Sequence, residues 1–194
     1  MPFLSEKASS TVSASSGGGY LNPSKIQSGS SARFALLDDN PLEFYEVWAE
    51  DAVGGVKPFR FKQDPTPEDI ESGLGEGYTQ RLNREGTANE PAKFCIAVQV
   101  YNHDTGSVQL LQVSQKSILR EFDSISQMED YQNLLEHDFV LGKEGSGLTT
   151  EYSLRVCPRK KGTDERIQTA WESAQSDGFD RDRLLTGGDP LKGS

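Results

Sequence analysis

KFCIAVQVYN at 93–102, the turn residues HDTG at 103–106 and SVQLLQVSQ at 107–115 decide the fold. Both runs are rich in β-branched and aromatic residues, and Asp104-Thr105-Gly106 supplies the turn between them, so the stretch reads as a β-hairpin. In its first strand Phe94, Ile96, Val98 and Val100 share one face, while Cys95, Ala97, Gln99 and Tyr101 share the other. The aliphatic face belongs to a core. The face with Gln99 and Tyr101 is expected to reach solvent.

Toward the C-terminus, KSILREFDSI at 116–125 changes to a helical rhythm, with Ile118, Leu119 and Phe122 on one side. Ser126 and Glu129 have the spacing of a capping box and announce a second short helix running to about Glu136. HDFVLGKEGSGLTTEYSLRVCP at 137–158 reads as strand, glycine turn and strand, a second hairpin. Beyond Pro158 the chain turns polar. A helix is expected over 164–175, where Ile167 and Trp171 stand four apart, followed by a loose acidic tail.

Toward the N-terminus, RFALL from Arg33 and the runs PLEF and YEVWA are β-prone, with turn chemistry at Asp38, Asp39, Asn40 and Pro41. After Gly54-Gly55 comes VKPFRFK, in which Lys57, Arg60 and Lys62 alternate with Phe59 and Phe61, and Pro58 suits an edge strand. Residues 63–91 carry no sustained apolar period and read as a long surface insertion, acidic first, with Tyr78, Arg81 and Arg84 in its second half. The sequence thus divides into a flexible Ser/Gly-rich arm at 1–31, a folded domain at 32–162 containing that insertion, and a polar helix with an acidic tail at 163–194.

Composition narrows the function. The chain has 194 residues, 34% hydrophobic and 26% charged, with a formal charge of −10, which argues against a surface that adheres everywhere to nucleic acid but leaves room for one basic groove. No apolar run is long enough for a membrane span, and MPFLSEKASSTVSASSGGG lacks the charged-then-apolar order of a secretory signal, so a cytoplasmic protein is expected. The two cysteines, Cys95 and Cys157, and the two histidines, His103 and His137, show no metal-ligand spacing, so neither a metal nor a cofactor is expected. No phosphate-binding loop, dinucleotide fingerprint or nucleophile elbow occurs, and an enzyme is not expected.

About five short strands with inserted short helices suit a mainly β fold, a five-stranded Greek-key barrel of the oligonucleotide-binding (OB) kind with flexible termini. Bases stack on aromatic rings while Lys and Arg follow phosphates. The candidates for such a groove are Lys57, Phe59, Arg60 and Lys62; Tyr78, Arg81 and Arg84; Tyr101 and Lys116; and Tyr152, Arg155, Arg159, Lys160 and Lys161. Each aromatic has core packing as its alternative role, and the run 159–161 a plain solvated one.

KFCIAVQVYNHDTGSVQLLQVSQKSI followed by HDFVLGKEGSGLTTEYSLRVCP resembles the single-stranded DNA-binding, helix-destabilising proteins of tailed bacteriophages over about residues 33–160. The resemblance implies an OB-fold and sequence-independent binding of single-stranded DNA, with Tyr101, Lys116, Tyr152 and Arg155 matching the family's groove residues most directly. It also implies that the acidic tail, with Asp177, Asp180, Asp182 and Asp189, recruits replication or recombination proteins, and that the setting is the cytoplasm of an infected host. The chain departs from the family at Glu151, where a lysine is expected, and its arm carries only Lys7 and Lys25. A protein-interaction or virion-associated β-domain is the alternative reading. The oligomeric state is open.

Overall fold

The computed structural model describes residues 19–191. Nine strands, β1 (Tyr20–Leu21), β2 (Ser30–Leu36), β3 (Leu42–Asp51), β4 (Val56–Phe61), β5 (Tyr78–Gln80), β6 (Lys93–Asn102), β7 (Ser107–Val113), β8 (His137–Glu144) and β9 (Glu151–Pro158), make the protein mainly β. Among the described residues four α-helices accompany them: α1 (Pro67–Leu74), α2 (Lys116–Ser126), α3 (Asp164–Ser176) and α4 (Arg183–Thr186). The chain divides into two compact units, the first made of 19–40 with 98–176 and the second of 41–97 with 177–191. The folded domain expected over 32–162 takes in parts of both units.

In the first unit the strand order is β1-β7-β6-β2-β8-β9. The path is open, so the expected five-stranded closed barrel is not formed among the described residues. Both predicted hairpins are present, β6 with β7 and β8 with β9. At the β8–β9 turn a Cβ on Gly145, whose φ is +71°, would stand 2.2 Å from the Thr149 carbonyl oxygen, so only glycine fits. Phe34 and Phe139 stack with centroids 5.7 Å apart, and Phe122 of α2 leans on Phe139 at 5.5 Å. Both Phe34 and Phe139 are fully buried.

Strand β6 is buried on both faces from Cys95 to Asn102, which corrects the expectation that Gln99 and Tyr101 face water. Its polar groups are satisfied inside: Gln99 Nε2 donates to Asp38 Oδ2 at 3.0 Å, and Asn102 Nδ2 to Gln109 Oε1 at 2.8 Å. Residues 20–31, read as part of the flexible arm, instead form a parallel strand on β7 (Tyr20 opposite Leu110) and a 3-10 turn at Pro23–Lys25. The arm at 1–18 lies outside the described residues. The helix expected from Ser126 to Glu136 is two 3-10 turns, Glu129–Tyr131 and Leu134–Glu136, and Ser126 Oγ instead donates to the Asp123 carbonyl within the last turn of α2. Met128 and Leu135 there are exposed, so no apolar stripe offsets the cost of ordering a helix.

In the second unit β3 pairs with β4, β5 and the first half of β6, all antiparallel. The Arg81 N–H donates to the Trp48 carbonyl at 2.8 Å, so even-numbered residues of β3 turn their backbone groups toward β5 and odd-numbered ones toward β4. By register, residues 57, 59 and 61 then pair with β3, and 56, 58 and 60 direct theirs outward. Pro58, which has no N–H, therefore sits where no ladder donor is needed.

The stretch 63–91, expected to be irregular, contains α1, β5 and the bridge Leu82–Asn89. Helix α1 begins at a capping box: Thr66 Oγ1 and N–H donate to Asp69 Oδ2 at 2.7 and 2.9 Å, and the Asp69 N–H donates to Thr66 Oγ1 at 3.2 Å. The bonds from the Thr66 side chain and backbone hold the Asp69 carboxyl below its ordinary 3.8. The cap is therefore in force above the ordinary carboxylate range and is lost as pH falls through the depressed value. Thr66→Ala is expected to bring Asp69 back up toward 3.8, read from a carboxyl NMR titration.

Ile70 and Leu74 of α1 pack on Val47, Ala49, Phe59, Phe61 and Tyr78. A Cβ on Gly73 would stand 2.7 Å from Phe61 Cε1. Gly73→Ala gains about 1 kcal/mol of helix propensity, but forcing a methyl against a ring costs about 1–3 kcal/mol. The melting temperature of this variant is expected to fall. A rise would mean the ring yields freely. The C-terminal segment, expected to be loose, is folded through residue 191: Leu184 is fully buried, α4 packs against β4, and the Asp180 N–H donates to the Pro190 carbonyl at 2.8 Å.

Candidate nucleic-acid interface

The second unit brings three of the predicted residues together. On odd-numbered positions of β4, Lys57 and Phe59 share a face, and β5 supplies Tyr78 beside them. The Phe59 and Tyr78 rings meet edge-on with centroids 5.1 Å apart. Lys57 Nζ stands 4.0 Å from the Tyr78 centroid and 4.6 Å from that of Phe59. Lys57 is exposed and both rings are half-buried, so an ammonium lies over two partly exposed rings at one place. Such a group attracts an anion by charge, and a flat base reaches a ring face once the ammonium moves off it to a phosphate.

Arg60 lies on the opposite face of β4, its Nε 3.2 Å from Glu46 Oε2 and its guanidinium 5.8 Å from the Phe44 centroid. Both side chains of that pair are mostly buried, so Arg60 is committed to internal neutralisation. Lys62, Arg81 and Arg84 are exposed beyond the ends of β4 and β5. Alongside β4 runs a pocket of about 460 Å³, lined by Lys57, Pro58, Phe59, Arg60 and Phe61 on one side and by Leu184 and Thr186 of α4 on the other.

In the first unit the expected residues do not converge on an aromatic platform. Tyr101 is buried against Ala35 and Ile167, with its ring edge-on to His103 at 5.3 Å, so core packing is its role and base stacking is excluded for it in this fold. Lys116, the first residue of α2, and Arg155, on the outer face of β9, are exposed. Tyr152 is half-buried beside its cross-strand partner Lys143, and burial pushes its phenol above the usual value. Lys160 and Lys161 are exposed.

Arg159 is spent on a group that the sequence reading missed. The Asp138 carboxylate, wholly inaccessible, has Arg33 Nε at 2.9 Å, Arg159 Nε at 2.9 Å and His103 Nε2 at 3.0 Å around it. The Lys160 backbone N–H donates to Asp138 Oδ2 at 3.0 Å, and Arg33 reaches on to the Pro158 carbonyl at 2.9 Å. Two guanidiniums on one buried carboxylate tie β2, β8 and the end of β9 together. The one available signal was a lone acid inside the apolar run DFVL at 138–141.

Among the tail candidates, Asp177, Asp180, Asp182 and Asp189 are all exposed. Asp180 pairs with Arg183 at 3.6 Å, Asp182 with Arg181 at 3.7 Å, and Asp189 Oδ1 accepts the Leu191 N–H at 3.0 Å. Their setting is therefore a folded turn, which corrects the free tail of the sequence reading. Among the described residues no three His, Cys, Asp or Glu side chains are grouped to hold a metal ion, and no helix is long and apolar enough to cross a membrane. No family model matches the chain, and neither a curated protein nor a solved structure matches it.

Proposed function

We propose that the protein is a non-enzymatic binder of single-stranded DNA that coats exposed strands, without sequence preference, in phage-type replication, recombination or repair. The observation that carries the reading is the exposed Lys57 ammonium 4.0 and 4.6 Å from two half-buried rings, Tyr78 and Phe59. The resemblance of residues 33–160 to phage single-stranded DNA-binding proteins supports it from a separate direction. The reading does not depend on that family's closed barrel, since the described sheet is open. Strand binding needs rings and cations on one face, and an open sheet provides these as well as a closed one. Within the first unit by itself, exposed Lys116, Arg155, Lys160 and Lys161 are proposed as phosphate contacts, and in the second the acidic turn 177–189 as the surface for replication or recombination proteins. The host cytoplasm is the proposed setting.

The alternative, a protein-interaction or virion-associated β-domain, is favoured by one observation: Lys57 and Arg60 occupy opposite faces of β4, and Arg60 is neutralised by Glu46. Fluorescence anisotropy of a labelled poly-dT of about 30 nucleotides separates the two, titrated at low and high salt beside duplex of equal length. The strand-binding reading expects tight single-strand binding that weakens steeply with salt, as counterions are released, and much weaker duplex binding. Absence of binding at low salt leaves the interaction domain.

A further inference from the structure

We propose that the pocket beside β4 receives one nucleobase of the bound strand while Lys57 holds the adjoining phosphate. This rests on the single-strand reading and names the part of the ligand that the second unit takes. Residues of both parities along β4, Lys57, Phe59 and Phe61 with Pro58 and Arg60, line the pocket, so it lies along the outer edge of the strand rather than over one face. At that edge the Pro58 carbonyl points away from β3. The opposite wall is Leu184 and Leu185 of α4, closed at its end by Thr186 and Gly187, and Gly73 adds a surface without a side chain next to Phe61.

The chemistry fits a base better than an apolar side chain. A base has two apolar faces and a polar rim, and here ring and aliphatic walls meet the Pro58 carbonyl, the Arg60 side chain and the Thr186 hydroxyl, which donates to the Arg183 carbonyl at 3.1 Å and keeps its lone pairs to accept. The volume, about 460 Å³, falls within the range of small-ligand sites. Lys57 and Phe59 belong both to the pocket lining and to the cation–ring group, so a phosphate on the ammonium is held at the pocket's own wall. An apolar peptide side chain would leave that cation unused. Lys57, Arg60 and Thr186 bring charge and one hydroxyl to the lining without a donor–acceptor pattern matched to one base, in keeping with sequence-tolerant coating.

The test compares an oligo-dT with an oligomer of equal length whose sugars carry no bases. Thr186→Trp fills the pocket from an exposed position, and Leu185→Trp fills it from the α4 wall should the first variant be poorly folded. The expected result is that pocket filling weakens oligo-dT binding roughly 5- to 100-fold and leaves binding of the base-free oligomer unchanged. Equal affinities of filled and wild-type protein for oligo-dT, or equal losses on both oligomers, would overturn the pocket proposal and leave strand binding standing. Failure of the wild-type protein to bind oligo-dT would overturn both.

Discussion

Asp138→Ala lowers the unfolding free energy by roughly 3–5 kcal/mol, the cost of leaving buried charges without their partner. The carboxylate is inaccessible, and its removal leaves Arg33, Arg159 and His103 facing one another around the vacated position. Arg33→Ala has a smaller effect, because its side chain keeps 35% exposure and Arg159 still neutralises the acid. Urea midpoints of the two variants, compared with wild type at equal slope, check the order. A midpoint for Asp138→Ala within error of wild type would mean that the cluster is ornamental to the fold. The same reasoning removes Arg159 from the list of phosphate contacts: its substitution is expected to move stability before it moves DNA affinity.

The second large effect concerns binding. Replacing Lys57 by Ala and both Phe59 and Tyr78 by Leu is expected to weaken oligo-dT binding by about 100-fold or more, since stacking contributes about 1–3 kcal/mol per base. Lys57→Ala alone is expected to weaken it less and to flatten the salt dependence by about 0.7 in slope, the share of one phosphate on a single strand. Phe59 and Tyr78 also pack on Ile70 and Leu74, so the leucine replacements keep apolar volume under α1. Lys116→Ala and Arg155→Ala, in the other unit, test whether those cations add phosphate contacts of their own. An unchanged affinity in the triple variant would move the site away from β4 and β5.

Elements with a strong local period were legible in the sequence. Strands β6 to β9 and helices α2 and α3 follow from β-branched alternation, glycine turns and the Ile118–Phe122 stripe. What failed was side-chain environment. Gln99 and Tyr101 look like a wet face by composition, yet the central position of β6 buries both sides, and internal amide bonds satisfy Gln99 and, on the other face, Asn102. The helix α1 was announced by Thr66-Pro67 and Asp69, a cap with proline at the first turn, but an Asp at the third position is a weaker signal than Glu, and the flanking glycines concealed it.

At the candidate site, the early strand VKPFRF disclosed Lys57 and Phe59, because alternation alone places them together. Tyr78 was named but could not be joined to them, since its register with Asp51 of β3 is a long-range pairing. Arg60 and Arg159 carried the right charge and the wrong partners: Glu46 and Asp138 lie far away in sequence, and only folding brings them to within 3.2 and 2.9 Å. The division into two units was equally hidden. Residues 177–191 return to β4 through Leu184, a single buried side chain in a stretch whose composition reads as solvated tail.

The central claim, that single-stranded DNA is bound at the Lys57, Phe59 and Tyr78 group, is tested most directly by photocrosslinking. An oligo-dT carrying 5-iododeoxyuridine is irradiated with the full-length protein at low salt, and the adducts are mapped by mass spectrometry. The account predicts adducts on peptides containing Phe59 or Tyr78, suppressed by high salt. Adducts confined to residues 98–176, or none at saturating protein, would contradict it.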